Sequence, residues 1–271
     1  MKNLLPTIIY EDDSALVINK PAGLVVHPDG RNKEYCLTDW LLEKYPELKD
    51  VGEPMELKDQ RTGDITLIPR PGIVHRLDRE TSGVMIIAKN QKTFLFLKKQ
   101  FQEHTIRKVY RAFVYGWVKN DMGTIDAPIG RSGSDIRRWN SGRGARGVMR
   151  PARTMYRTIS RFSDIDTDGE RVPMENRFSY VELYPQTGRT HQLRVHLRFI
   201  NHSIVSDMLY SGKKENALGF DRVALHACSL ECRLPNKSSD IVENKQKKVQ
   251  KFEAPLPDDF LSAEVLAKIS F

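Results

Sequence analysis

His75-Arg76-Leu77-Asp78-Arg79-Glu80-Thr81-Ser82-Gly83 sets one carboxylate between two arginines, with a histidine ahead of them and Thr-Ser-Gly behind. The residues that follow, Val84-Met85-Ile86-Ile87-Ala88, are apolar without a break, the pattern of a strand buried on both faces. The charged cluster therefore stands at the entrance to a core strand, on a loop held by a rigid element. A solvated turn with a local ion pair is the plain reading of such a loop. A reacting carboxylate is the sharper one, and the rest of the chain decides between them.

Upstream, Thr7-Ile8-Ile9-Tyr10 and Ala15-Leu16-Val17-Ile18-Asn19 are β-rich runs split by Glu11-Asp12-Asp13-Ser14, a hairpin pattern. Leu24-Val25-Val26-His27-Pro28 reads as a further extended piece. Helical spacing over residues 37–45 stops at Pro46. Residues 46–64 read as a loop and residues 65–68 as a short strand. Downstream, residues 91–104 carry Phe94, Leu95, Leu97 and Phe101 as one helical stripe. Residues 108–118 form a long strand, 155–162 and 177–184 a strand pair, 191–200 a helix and 224–234 a strand. Residues 258–269 close with a helix after Pro255 and Pro257. Strands outnumber helices without strict βαβ alternation, which makes the chain α+β with a largely antiparallel sheet. Its 271 residues suffice for one large core or two smaller ones.

No apolar run is long enough to cross a bilayer. Met1-Lys2-Asn3-Leu4-Leu5-Pro6 lacks the apolar core of a secretory signal. Cys36, Cys228 and Cys232 give an odd count with no CxxC pair, as expected of reduced thiols in a cytoplasmic protein. The formal net charge is +8, and its position matters more than its size. Residues 131–161 hold nine arginines (131, 137, 138, 143, 146, 150, 153, 157 and 161), no lysine, and Asp135 as their one acid. The remaining basic and acidic residues cancel. Concentrated arginine is the footprint of a phosphate backbone, because the planar fork grips phosphate oxygens and stacks on bases. Residues 131–153 read as a mobile basic arm. An unassigned basic surface is the plain alternative.

Several motifs tempt. Asp164-Ile165-Asp166-Thr167-Asp168-Gly169 with Glu175 fits a calcium-loop pattern, but strands flank it where helices are needed, so a solvated acidic hairpin is expected. His75-Arg76-Leu77-Asp78 has the wrong spacing for a kinase loop, with no glycine-rich phosphate loop upstream. His191 and His196 are five apart with no HExxH, which argues against a metal pair. Thr81 and Ser82 lack a G-x-S-x-G elbow and serve the turn. What remains is an aspartate, several arginines and a tyrosine, with no metal or cofactor motif. An unassisted carboxylate can act as a nucleophile, and a buried Arg partner would keep it ionised.

These residues resemble the RluA family of pseudouridine synthases. His75 to Gly83 matches its HRLDxxTSG signature. Asn19-Lys20-Pro21-Ala22-Gly23-Leu24-Val25-Val26-His27-Pro28 is similar to NKPxGxxVHP, and Lys108-Val109-Tyr110-Arg111-Ala112-Phe113-Val114-Tyr115-Gly116 to KxYxAxVxG. Thr187-Gly188-Arg189-Thr190-His191-Gln192-Leu193-Arg194-Val195-His196 is similar to TGRTHQ(I/L)RVH; Leu225-His226-Ala227 and Phe252-Glu253-Ala254-Pro255-Leu256-Pro257 also fit. The motifs run in order across nearly the whole chain.

The resemblance implies the pseudouridine synthase fold: a mixed, mostly antiparallel sheet with a central catalytic cleft, flanked by helices. Residues 1–271 would form one catalytic domain, without an N-terminal S4-type domain, since Tyr10 already lies in the catalytic fold. The implied reaction turns uridine into pseudouridine in structured RNA, ribosomal large-subunit RNA or tRNA, without cofactor or metal. The implied roles are Asp78 as nucleophile, Arg194 as the cation paired with it, and Tyr110 stacked on the uracil. Arg76 would fill the space of the flipped nucleotide, and Leu193 would pack at the base pocket. RNA contacts would come from Arg131, Arg137, Arg138, Arg143, Arg146 and Arg150. A base inside a helix cannot be reached, so flipping is required, and stacking offsets part of its cost. A monomer with no membrane partner is expected.

Two departures stand out. Ser206 precedes Asp207 where the family often has glycine, and Met149-Arg150 stands where Gly-Lys is usual. Two other functions compete: a non-catalytic RNA-binding or assembly protein that keeps the fold, and a hydrolase built on His75 and Asp78. The second lacks a recognisable base–nucleophile pair.

Overall fold

The computed structural model describes residues 5–28, 34–58, 62–163, 174–212, 214–235 and 248–269. The chain divides into two compact units. Unit 1 takes residues 1–107 and 229–254, and unit 2 takes residues 108–228 and 255–271.

Unit 1 begins with β1 (Thr7–Glu11) and β2 (Ala15–Lys20), followed by α1 (Leu37–Lys44), β3 (Met55–Lys58) and β4 (Ile65–Ile68). β5 (Ser82–Ala88) and α2 (Gln91–Gln102) follow. The β1–β2 turn closes on Asp12, whose Oδ1 accepts from the Ser14 and Ala15 N–H groups, both at 2.8 Å, an Asx turn of the expected kind. β5 pairs antiparallel with β2 and is buried along its whole length, so its continuous apolar run reflects cover on both faces. Asn90 caps α2 by accepting from Thr93 N–H at 2.9 Å. Left-handed His104 lies just past its end.

Unit 2 contains β6 (Arg107–Tyr115, whose first residue belongs to unit 1), β7 (Met122–Asp126), β8 (Ile129–Ser132), β9 (Trp139–Ser141) and β10 (Ala145–Arg150). β11 (Arg153–Ser163), β12 (Arg177–Pro185) and α3 (Gln192–Phe199) complete its middle. β13 (Leu225–Arg233) returns the chain to unit 1, where it pairs antiparallel with β14 (Val249–Glu253). α4 (Asp258–Ile269) belongs to unit 2. β6, β12, β11 and β7 pair antiparallel in that order. Phe113 centres the core, stacked on Tyr180 at 4.3 Å and meeting Phe162, Phe220 and Phe260. The α+β class with antiparallel pairing holds.

Two expectations change. The loop expected over residues 46–64 contains a 3-10 turn at Pro46–Asp50, which buries Leu48, and the strand β3, paired antiparallel with β4. The basic arm is a three-stranded antiparallel sheet, β10–β8–β9. Its glycines mask the strand pattern: Gly142, Gly144 and Gly147 take positive φ and shape its turns and bulge. Residues 164–173, which hold most of the calcium-loop pattern, lie outside the described residues.

Candidate functional site

The loop that carries Asp78 is fixed by its backbone. Lys20 at the end of β2 is fully buried, and its Nζ donates to the carbonyls of Pro21 at 2.8 Å, Leu24 at 2.8 Å and Arg79 at 3.0 Å. Gly23 N–H donates to the same Arg79 carbonyl at 2.8 Å. Thr81 N–H closes a turn on the Asp78 carbonyl at 3.1 Å. His75 Nε2 accepts from Ile86 N–H of β5 at 3.0 Å, and its ring stacks on Phe101. That bond occupies the nitrogen a general base would use, so His75 is an anchor of the loop, and the hydrolase reading loses its base. Leu77, Thr81 and Ser82 are buried. Asp78 is half-buried, while Arg76 and Arg79 are exposed. Arg79 pairs with Glu34, and Arg76 Nη1 lies 3.2 Å from His27 Nε2.

Unit 2 holds Tyr110, Leu193 and Arg194. Tyr110 on β6 is partly buried against the unit's core. Lys108, two residues earlier on the same strand face, has its pKa pushed down to about 8 by burial. Leu193 belongs to the core itself. Arg194 forms a buried bidentate pair with Asp207: Nε donates to Oδ2 at 2.7 Å and Nη2 to Oδ1 at 2.8 Å. Its guanidinium lies 5.0 Å from the Tyr210 ring centre, within cation–π range. The Tyr210 hydroxyl accepts from the Trp139 N–H of β9 at 2.9 Å and lies 2.9 Å from His191 Nδ1. One buried tyrosine thus ties Arg194, the start of α3 and the basic sheet together. His196 is fully buried between Thr154 Oγ1 and the Ala127 carbonyl, both at 2.9 Å. Burial lowers its pKa, and both ring nitrogens are engaged, so it is a core histidine.

The nine arginines separate into two groups. Arg153, Arg157 and Arg161 on β11 pair with Asp126, Glu182 and Asp121. Within the basic sheet, Asp135 pairs with Arg137 and Arg138 and is held down at about 2, first by its hydrogen bond from the Arg137 side chain. Arg131 stacks over Trp139 at 4.7 Å. Arg143, Arg146 and Arg150 are exposed, and no carboxylate pairs with them among the described residues. Arg146 stands directly opposite Arg131 in the β10–β8 register, a like-charge pairing that destabilises a sheet.

Residues 14–199 match the family model described as RNA pseudouridylate synthase. The chain belongs to that family. It is 39% identical over 244 residues to an uncharacterized RNA pseudouridine synthase of Chloroflexus aurantiacus, covering 89% of this chain and 63% of the relative. It is 34% identical over 265 residues to the ribosomal large subunit pseudouridine synthase D of Pseudomonas aeruginosa, covering 94% and 69%. The chain thus spans about two-thirds of the length of these curated relatives. Among solved structures, the human RNA pseudouridylate synthase domain containing 4 is 25% identical with a TM-score of 0.64, covering 97% of this chain and 93% of that one.

The family match ends at residue 199, before Asp207 and Tyr210. Sequence reasoning missed both as site residues, although they lie beside the Ser206 departure. Ser206 adopts the left-handed conformation, φ +57°, that glycine takes readily, at a cost of about 1 kcal/mol. Its N–H donates to Tyr115 Oη at 3.2 Å and its Oγ to the Phe220 carbonyl at 2.9 Å. Those bonds offset the strain and fix the backbone on which Asp207 meets Arg194.

Proposed function

We propose that this chain converts uridine to pseudouridine in structured RNA, with Asp78 as the nucleophile. The reaction breaks the bond from ribose C1′ to uracil N1 and forms one from C1′ to C5. The C5 proton leaves and N1 gains one. Tyr110 stacks on the uracil, Arg194 supplies the countercharge of Asp78, and Arg76 fills the gap left by the flipped nucleotide. Leu193 supports the base pocket from the core. Arg131, Arg137, Arg138, Arg143, Arg146 and Arg150 hold the RNA backbone.

The observation that carries this reading is the Asp78 loop. A half-buried carboxylate stands on a backbone pinned by a buried ammonium, in a chain of this family. Positioning of that kind is what nucleophilic catalysis needs. The relatives named for the ribosomal large subunit favour ribosomal RNA over tRNA as substrate.

The test is tritium release from [5-³H]uridine-labelled RNA, with ribosomal and transfer RNA prepared separately from cells lacking the gene. Wild type should release tritium from the ribosomal fraction. Asp78→Ala should release none while its RNA affinity is kept. Equal inertness of wild type and Asp78→Ala on both fractions would sink the enzyme reading and leave an RNA-binding protein.

A further inference from the structure

Tyr210 is buried, and its backbone is pinned on both sides. Its N–H donates to the Asp207 carbonyl at 3.0 Å and to Asp207 Oδ1 at 3.1 Å, and its carbonyl accepts from Ser203 Oγ at 3.1 Å. The ring therefore leaves a backbone that cannot turn without breaking these bonds. Asp207, three residues earlier, is the carboxylate paired with Arg194, so one short loop carries two groups that hold the same guanidinium.

The two holds differ. Asp207 takes Nε and Nη2 in a bidentate pair, which fixes two atoms and leaves the group able to tilt about the line through them. The Tyr210 ring, its centre 5.0 Å from the guanidinium carbon, limits that tilt. A cation–π contact has little directionality of its own, so whatever fixes the ring also fixes the cation.

The hydroxyl fixes the ring. A phenol oxygen offers two lone pairs and one proton, and Tyr210 Oη meets two partners: the Trp139 N–H of β9 and His191 Nδ1, both at 2.9 Å. His191 opens α3 with a left-handed backbone, and its carbonyl accepts from Val195 N–H at 2.9 Å, so it stands in the same helical turn as Arg194. Its ring meets Tyr210 edge-on, with centres 5.6 Å apart. Tyr210 shares a small core with Ile129 of β8, Ala152 and Val195 of α3, and Trp139 and Leu209 pack against it. Phenylalanine would serve that packing. The hydroxyl adds contacts to the backbone of the basic sheet and to a side chain at the start of α3, in a buried place where an unpaired hydroxyl would be costly.

We infer that Tyr210 is a positioning residue: it braces the Arg194 guanidinium against β9 and the first turn of α3. The inference rests on the proposed reaction for the role of Arg194. It adds to that reading Tyr210 and His191, which act through Arg194 without touching the substrate. The basic sheet then has two separable tasks. Its exposed arginines hold RNA, while the Trp139 backbone anchors the tyrosine that steadies the cation of the reaction.

The test is Tyr210→Phe in the full-length chain, which keeps the ring and removes the hydroxyl contacts. Tritium release from the ribosomal fraction gives kcat and KM, and RNA affinity is measured from low to moderate salt. Exchange of the Arg194 Nε–H with water is followed by NMR in protein labelled with ¹⁵N-arginine. Small misplacements of a reacting group are costly, so kcat should fall by about tenfold or more while KM stays within about twofold. The salt slope should not change, because no phosphate contact is lost. The Arg194 Nε–H should exchange about tenfold faster, as for an opening eased by one hydrogen bond. His191→Gly suits the left-handed backbone and removes the imidazole, and it should lower kcat in the same way. His191→Asn tolerates that backbone and keeps a polar group near the place of Nδ1, and it should recover part of the loss. A thermal melt accompanies each variant; if Tyr210→Phe does not fold, the His191 pair carries the comparison. A folded Tyr210→Phe with the kcat of wild type would overturn the brace, whatever its melting temperature, and mark Tyr210 as a residue of the core only. So would a loss of RNA affinity with a shallower salt slope and an unchanged kcat, which would make it a binding residue. Absence of tritium release by wild type would instead strike the proposed reaction, and the exchange of the Arg194 Nε–H would then decide the brace alone.

Discussion

Replacing Asp207 with alanine tests the buried pair on which Arg194 depends. The Asp207 side chain is fully buried and that of Arg194 is only 10% exposed. The carboxylate accepts twice from Arg194, and its Oδ1 also accepts the N–H groups of Leu209 and Tyr210, each at 3.1 Å. Asp207→Ala therefore strands a buried guanidinium and removes a bond from the Leu209 N–H. A buried charge that loses its partner costs about 3–5 kcal/mol. At about 2–4 °C per kcal/mol for a chain of this size, the melting temperature should fall by roughly 10 °C. Asp207→Asn keeps an acceptor for Leu209 and Tyr210 and should cost less, yet it cannot hold Arg194 by two charge-assisted bonds. Arg194→Met with Asp207→Leu removes both charges together and should recover stability while tritium release stays lost. Urea unfolding and tritium release are measured on all three. A cost under about 1 kcal/mol for Asp207→Ala would refute the reasoning, and so would tritium release at the wild-type rate in the Met/Leu double variant.

Three further outcomes follow from the same contacts. Lys20→Met should cost several kcal/mol, because three carbonyls lose their shared donor in a buried place, and it should lower kcat more than RNA affinity by loosening the Asp78 loop; a folded Lys20→Met with wild-type kcat would contradict that role. Burial pushes Lys108 down to about 8 from 10.5, so between those values the unfolded chain holds a proton that the folded chain has released, and stability should rise with pH across that window by up to about 3 kcal/mol. The difference between wild type and Lys108→Met in urea isolates this effect, and a gap that does not narrow from pH 7 to 10 would count against it. Neutralising Arg143, Arg146 and Arg150 together should make the salt dependence of RNA binding shallower by about two units while tritium release at saturating RNA persists; an unchanged slope would remove the basic sheet from the RNA contacts.

Much of the fold was legible because burial writes period and composition into the chain. β5 reads as a strand from Val84 to Ala88 since apolar residues occupy every position, and the structure buries each of them. α2 reads from its apolar stripe, and the structure adds the Asn90 cap that the stripe did not announce. The basic sheet was not legible, because β10 is largely exposed and its strands carry mostly arginine, glycine and serine where strand signals would be valine or isoleucine. Residues 55–58 were missed for a related reason, a strand of only four residues paired in an isolated hairpin. The Arg194–Asp207 pair was hidden differently. The partners are thirteen positions apart with no local period between them, and the left-handed Ser206 backbone and the end of α3 bring them together. Lys20 looked like the polar end of a strand. Its role depends on carbonyls turned toward it, and backbone direction leaves no mark on side-chain pattern.

The excess positive charge shows why placement outweighs count. From the sequence, nine arginines form one block. In the fold, the three on β11 are matched by acids on neighbouring strands or loops and act as sheet ion pairs. Those on β8 to β10 face one another, Arg131 against Arg146, with only Asp135 among them. In unit 1, Arg79 is matched in the same way, by Glu34. A structural arginine is best served by a carboxylate in its own fold, since unpaired like charges cost stability at every moment the RNA is absent. A fold that pairs some arginines and leaves others opposed thus separates the cations it uses to hold itself from those the proposed RNA contact would use. On that criterion the cations left to the proposed RNA contact are the opposed arginines of the β8–β10 sheet. The block of nine overstates that group, because three of its members are spent on β11.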